Sequence, residues 1–173
     1  LMANASADPN RLAGTFPGPR HDYDHCVETA LADAESVCAA RNARLTTLRR
    51  RVLEIVWQSH QPLGAYAILD QLAGDGRRPA PPTVYRTLEF LLSHGLVHRV
   101  ASLNAYVGCS HPGHVAQGQF LICTECETAV EMVDDKVANR IDERARSLGF
   151  VPAGYMIEVT GVCPDCTPAA SEP

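Results

Sequence analysis

Helical periodicity repeated along the first half, a β-prone pair after it, and strands alternating with one amphipathic helix thereafter predict an α+β fold. The first part has the order of a winged helix-turn-helix domain and is expected over residues 23–104. A small α/β domain is expected over 105–166. Residues 1–22 are rich in Ala, Pro, Gly and Asn without periodicity, so they read as a disordered tail, with a second short tail at 167–173.

The elements follow in order. From Tyr23 to about Asn42, the residues Val27, Ala30, Leu31, Ala34, Val37 and Cys38 recur at helical spacing. Cys38 and Cys26 read as small core residues. A second helix starts at Thr46, a reasonable N-cap, and turns Leu48, Val52, Ile55 and Val56 to one face. Ala65 to about Leu72 makes a short third helix closed by Gly74-Asp75-Gly76. The fourth begins at Pro81-Pro82, buries Val84, Leu88, Leu91 and Leu92, and stops at Gly95. VHRVAS and AYVG, on either side of Leu103-Asn104, predict a hairpin. Past a loop of His, Gly and Pro, QFLICT and TAVEMV are strand-like. A helix over 134–149 is expected to face Val137, Ile141, Ala145 and Leu148 inward, and YMIEVTGVC is a last strand.

Composition narrows the function. The net charge of −5 divides unevenly: residues 41–99 hold nine Arg against four acids, while from Val100 onward four basic residues meet ten acidic ones. The middle can approach phosphates while the C-terminal part does something else. No apolar run approaches the roughly 18 residues of a membrane span. The first twenty residues lack the basic start and apolar stretch of a secretion signal, so a cytoplasmic setting is expected. Seven cysteines without such a signal argue against a disulfide framework.

In a helix-turn-helix pair, the second helix enters the major groove with polar residues near its N-terminus. The fourth helix offers Thr83, Tyr85 and Arg86 there, off the apolar stripe. Arg86 can donate two hydrogen bonds to a guanine edge, and Tyr85 can meet a thymine methyl or a phosphate. Tyr66 leads the preceding helix, and the Arg49-Arg50-Arg51 cluster would serve phosphates. The same pattern also suits a solvated helix.

Two C-x-x-C pairs, Cys123/Cys126 and Cys163/Cys166, can together close a tetrahedral thiolate shell around zinc. Such a shell leaves no position for water or substrate, which makes it structural. A redox C-x-x-C would instead start a helix after a strand. A nucleobase deaminase would need H-x-E ahead of P-C-x-x-C, and no H-x-E occurs. No enzyme is expected. A second set, His98, Cys109, His111, His114 and Glu131, suits zinc at intermediate softness, or else is a His/Gly/Pro loop with incidental histidines. A metal held by His98 and Glu131 would fix the wing against the second domain.

The order RNARLTTLRRRVLEI, AYAILDQL, APPTVYRTLEFLLSHGLVHRV, LNAYVGC, HPGH, QFLICTEC, VEM and GVCPDC resembles the ferric-uptake-regulator family, in its zinc-uptake-regulator branch, over roughly residues 30–166. The resemblance implies a homodimeric repressor, its second domain serving dimerisation, that binds operator DNA of zinc-import genes when zinc is plentiful. It implies one structural Zn2+ on Cys123, Cys126, Cys163 and Cys166. It implies one regulatory Zn2+ on His98, Cys109, a loop histidine and Glu131, with Tyr85 and Arg86 on the recognition helix. A family sensor of iron, manganese or peroxide is the alternative, which the thiolate of Cys109 disfavours. Two positions depart from the branch. Ala116 stands where its loop histidine usually lies, leaving His114, favoured as nearer, or His111; and Thr47 replaces a proline at the start of the second helix.

Overall fold

The computed structural model describes residues 16, 22–58, 61–112 and 117–167. The expected tails therefore lie outside the described residues, apart from Phe16, Asp22 and Thr167. Helix α1 (Tyr23–Ala40) opens where the Asp22 carboxylate accepts the His25 amide at 3.1 Å. Helix α2 (Thr47–Gln58) begins after Thr46, whose hydroxyl accepts a long 3.4 Å contact from the Arg49 amide. Helices α3 (Ala65–Gly74) and α4 (Pro81–Ser93) end at Gly76 and Gly95, both at positive φ, the geometry that lets a chain leave a helix without a Cβ penalty. Their inward faces, with Val52, Ile55, Ile68, Leu72, Val84, Leu88 and Leu91 all fully buried, form one core with Ala30, Ala34, Cys26 and Cys38 of α1. Both cysteines are core residues, as expected.

The wing is strands β1 (Val97–Val100) and β2 (Ala105–Gly108), antiparallel around a turn in which Asn104 takes φ 48°. A bridge between Leu63 and Tyr106 ties β2 to the approach to α3. The division expected between 104 and 105 would cut this hairpin between its strands; β2 pairs with β1 along its length, so residues 105–108 belong to the wing. Gly108 is pressed against Trp57 of α2, where a Cβ would come within 2.2 Å of the indole.

The second sheet runs β4 (Ala129–Glu131), β3 (Gln117–Cys123), β5 (Tyr155–Gly161) in spatial order. β3 pairs antiparallel with β4 and parallel with β5, the crossover being helix α5 (Asp135–Ser147), capped by the Asp134 side chain. Phe120 and Ile122 of β3 pack with Ala129 against Val100, Leu103 and Val107 of the wing, so one face of this sheet lies on the hairpin.

The helix α5 corrects an expectation. No residue of it is buried; Val137, Ile141 and Ala145 are half-buried, and Leu148, just beyond its end, is 69% exposed. Phe150, Val151, Val159 and Val162 are exposed as well. The stripe is amphipathic, but among the described residues none buries it fully.

Candidate metal centres and nucleic-acid interface

Because β3 and β5 run parallel, their ends lie at one edge of the sheet, where the Thr124 amide donates to the Gly161 carbonyl at 2.8 Å. Each strand then leads into a C-x-x-C turn. Cys123 closes β3, and a tight turn follows in which the Glu127 amide donates to the Cys123 carbonyl and Glu127 takes φ 58°. Past β5, the Cys166 amide donates to the Cys163 carbonyl at 3.1 Å. The four sulfurs of Cys123, Cys126, Cys163 and Cys166 lie within 4.8 Å of one another, none in a disulfide.

The electrostatics of this cluster favour a cation. Backbone amides of Cys126 and Cys163 pull the Cys123 thiol down to about 6. The Thr128 hydroxyl and amide lower Cys126. Burial raises Cys163, and the neighbouring thiols of Cys163 and Cys126 raise Cys166 strongly. Four thiolates so close repel one another, and a soft divalent ion relieves that repulsion. The donor set, spacing and count fit zinc in a closed tetrahedral shell.

A second cluster gathers His98 of β1, Cys109 just after β2, and Glu131 at the end of β4, their ligand atoms again within 4.8 Å. His98 is 4% exposed and Cys109 is 1% exposed. His98 Nε2 lies 3.1 Å from Glu131 Oε1 but off the line of a hydrogen bond, and it is buried with no hydrogen-bond partner. A buried ring nitrogen left in that state, facing a carboxylate oxygen and a thiol, is the arrangement a metal completes. The other carboxylate oxygen is already held: the Ser110 amide donates to Glu131 Oε2 at 2.7 Å, and the Ser110 hydroxyl donates to the same atom. Burial pushes the Glu131 carboxyl up, but His98 and these two donors outweigh it and hold it below the usual carboxylate range. One imidazole, one thiolate and one carboxylate fit zinc with a fourth position to fill.

His114 lies outside the described residues. His111 does not join the triad; its Nδ1 is 3.1 Å from the Ser110 hydroxyl, and its ring lines a cavity of about 280 Å³ beside Glu131. Ser110 escaped the sequence reading. Its only signal there is a hydroxyl lodged between Cys109 and His111.

On the winged-helix half, Tyr66 is 73% exposed at the start of α3, and Thr83, Tyr85 and Arg86 are exposed in the first turns of α4. The arginine cluster, expected to serve phosphates, also makes contacts within the chain. The Arg49 guanidinium lies 3.4 Å from the centre of the Phe90 ring, and its Nη1 donates to the Arg44 carbonyl at 2.6 Å. Arg50 pairs with Glu35 and Glu54. Arg51 grips Asp75 at 2.6 and 3.0 Å and reaches Glu54 at 3.2 Å. All three brace α2 against its neighbours.

The sequence profile of the ferric uptake regulator family matches residues 40–160. The zinc uptake regulation protein of Escherichia coli (strain K12) is 38% identical over 143 residues, covering 81% of this chain and 82% of that protein. The zinc uptake regulation protein of Mycobacterium tuberculosis is 30% identical over 131 residues, covering 74% of this chain and 98% of that one. Among solved structures, holo XcZur superposes with a TM-score of 0.75 at 39% identity, over 82% of this chain and 99% of that chain. A zinc uptake regulator complexed with zinc and DNA gives 0.74 at 37% identity, over 81% and 94%.

Proposed function

Given that the chain belongs to the ferric uptake regulator family, we propose that it is a zinc-responsive transcriptional repressor that binds operator DNA of zinc-uptake genes as a homodimer. The observation that carries the reading is the triad of His98, Cys109 and Glu131, because its members come from the wing and from the second sheet. Zinc bound there supplies a cross-link between the two. A ligand set split across that junction makes the wing's orientation depend on the site, and any ligand that favours one orientation raises affinity for whatever else favours it. The thiolate of Cys109 favours zinc over iron, manganese or peroxide sensing.

The four-thiolate cluster is assigned a permanent zinc that pins the segment after β5 to the turn after β3, giving one structural and one regulatory ion per chain. A closed thiolate shell has no vacancy for substrate, so no catalytic role is proposed. We assign His114 as the fourth regulatory ligand, with His111 as its substitute. Tyr66, Thr83, Tyr85 and Arg86 are assigned to DNA, with the winged helix extending through Gly108 and the second half serving dimerisation. The exposed apolar residues Leu148, Phe150, Val151 and Val159 support a partner on that half. Among the described residues no helix is long and apolar enough to cross a membrane, and seven thiols with no disulfide suit the reducing cytoplasm we propose.

The test is operator binding measured with zinc, with a chelator that strips only the exchangeable ion, and in Cys109→Ser. The expected outcome is tight binding in the first case alone. Equal binding in all three would remove the regulatory site from the mechanism.

A further inference from the structure

The contact between the wing and the second sheet has a fastening that involves no metal. The parallel register sets Glu158 of β5 beside Phe120 of β3, on the sheet face that covers the hairpin. From there its carboxylate reaches the turn of the wing and takes both backbone amides at its entry: the Ala101 amide donates to Oε1 at 2.6 Å and the Ser102 amide to Oε2 at 3.1 Å. Each oxygen has its own donor. Hydrogen bonds to an ionised acceptor are the strong kind, and a two-point contact also fixes orientation.

Position gives the clasp its consequence. His98 lies on β1, which runs into this turn, and Cys109 follows β2, which runs out of it. Glu131 belongs to the sheet that also carries Glu158. The hairpin thus rests on the sheet at three places: the clasp at its turn, the apolar patch of Val100, Val107 and Phe120 at its middle, and the triad at its base. Fixing the turn restricts how the hairpin can slide or tilt, and so holds two ligands of the triad near the third. A site whose ligands are pre-positioned loses less freedom when it binds.

We propose that Glu158 is a positioning residue: by clasping the Ala101 and Ser102 amides it holds the wing on the sheet without metal and thereby raises the zinc affinity of the triad. This rests on the triad being the exchangeable zinc site.

The test compares the full-length wild type, Glu158→Ala and Glu158→Gln, each with the four-thiolate cluster loaded. Two readouts are taken: amide hydrogen exchange at Ala101 and Ser102 in the protein lacking exchangeable zinc, and zinc affinity at the second site by competition with a chelating dye. The alanine variant is expected to lose protection at both amides and to bind the second zinc about three- to tenfold more weakly. The glutamine variant, which keeps one acceptor oxygen, should fall between. Unchanged protection, or lost protection with unchanged zinc affinity, would overturn the proposal. A wild type that takes up no second zinc refutes the regulatory-site assignment itself, and is read from the baseline before any variant is compared.

Discussion

Ser110→Ala isolates what holds the Glu131 carboxylate in place. Ser110 is 3% exposed, and it gives Glu131 Oε2 two donors, one from the backbone and one from the hydroxyl. Alanine keeps the amide contact at 2.7 Å and removes only the hydroxyl. A hydrogen bond to a charged group is worth about 1.5–3 kcal/mol, and because the amide remains, the lower end applies, roughly 1.5 kcal/mol. At 1.4 kcal/mol per decade, that is about a tenfold loss of zinc affinity. It agrees with the 10–100-fold range typical when a partner of a metal-binding carboxylate or imidazole is removed. The measurement is competition with a fluorescent chelator at the exchangeable site, with the four-thiolate cluster left loaded. An affinity within about twofold of wild type would show that Ser110 does not orient Glu131. An equal loss at the cysteine cluster would show that the substitution acts through the fold instead.

Three other perturbations have clear expected outcomes. In Gly108→Ala the new methyl group would meet the Trp57 indole at 2.2 Å, and Trp57 is itself buried, so overpacking should cost about 1–3 kcal/mol. Thermal unfolding should then move down by several degrees, and an unmoved midpoint contradicts the packing described. Arg86→Ala should weaken cognate operator binding by about 1–3 kcal/mol and relax discrimination at one base position. A uniform loss on all sequences, seen in gel-shift titrations, would assign Arg86 to phosphate instead. Asp75→Asn removes a carboxylate held below its usual range by the Arg51 guanidinium. A group lowered in this way stabilises the fold above its ordinary value of about 4 and ceases to as the pH falls through its lowered one. The variant should therefore melt below wild type at neutral pH, with the gap closing under acid; a gap that persists there rules out this ion pair as the source.

The parts of this molecule legible in its sequence are those governed by local spacing. Helical stripes and their Pro and Gly boundaries gave α3 and α4 nearly to the residue, because capping and termination depend on neighbours in the chain. The cysteine pairs announced their cluster for the same reason. Long-range pairings were silent. Nothing near Arg51 in sequence points to Asp75, twenty-four positions away, so the ion pairs that tie the arginines of α2 to its neighbours had no signal there. Periodicity showed that α5 has an apolar side but could not say that this side stays only half-buried among the described residues. Ser110 and Glu158 act through hydrogen bonds between segments far apart in the chain, and such contacts have no pattern to detect.

The parallel pairing of β3 with β5 also bears on how the protein is made. Thirty-six residues separate Cys126 from Cys163, and all of α5 and β5 lie between them. During synthesis the earlier thiols emerge as an incomplete pair, without the Cys163 amide that donates to the Cys123 sulfur in the finished fold. A nascent chain therefore holds Cys123 and Cys126 as an open dithiol until the segment that carries Cys163 and Cys166 has cleared the ribosome. Stalled or prematurely ended translation would leave that dithiol open to oxidants and stray metals, with its two partner thiols not yet made.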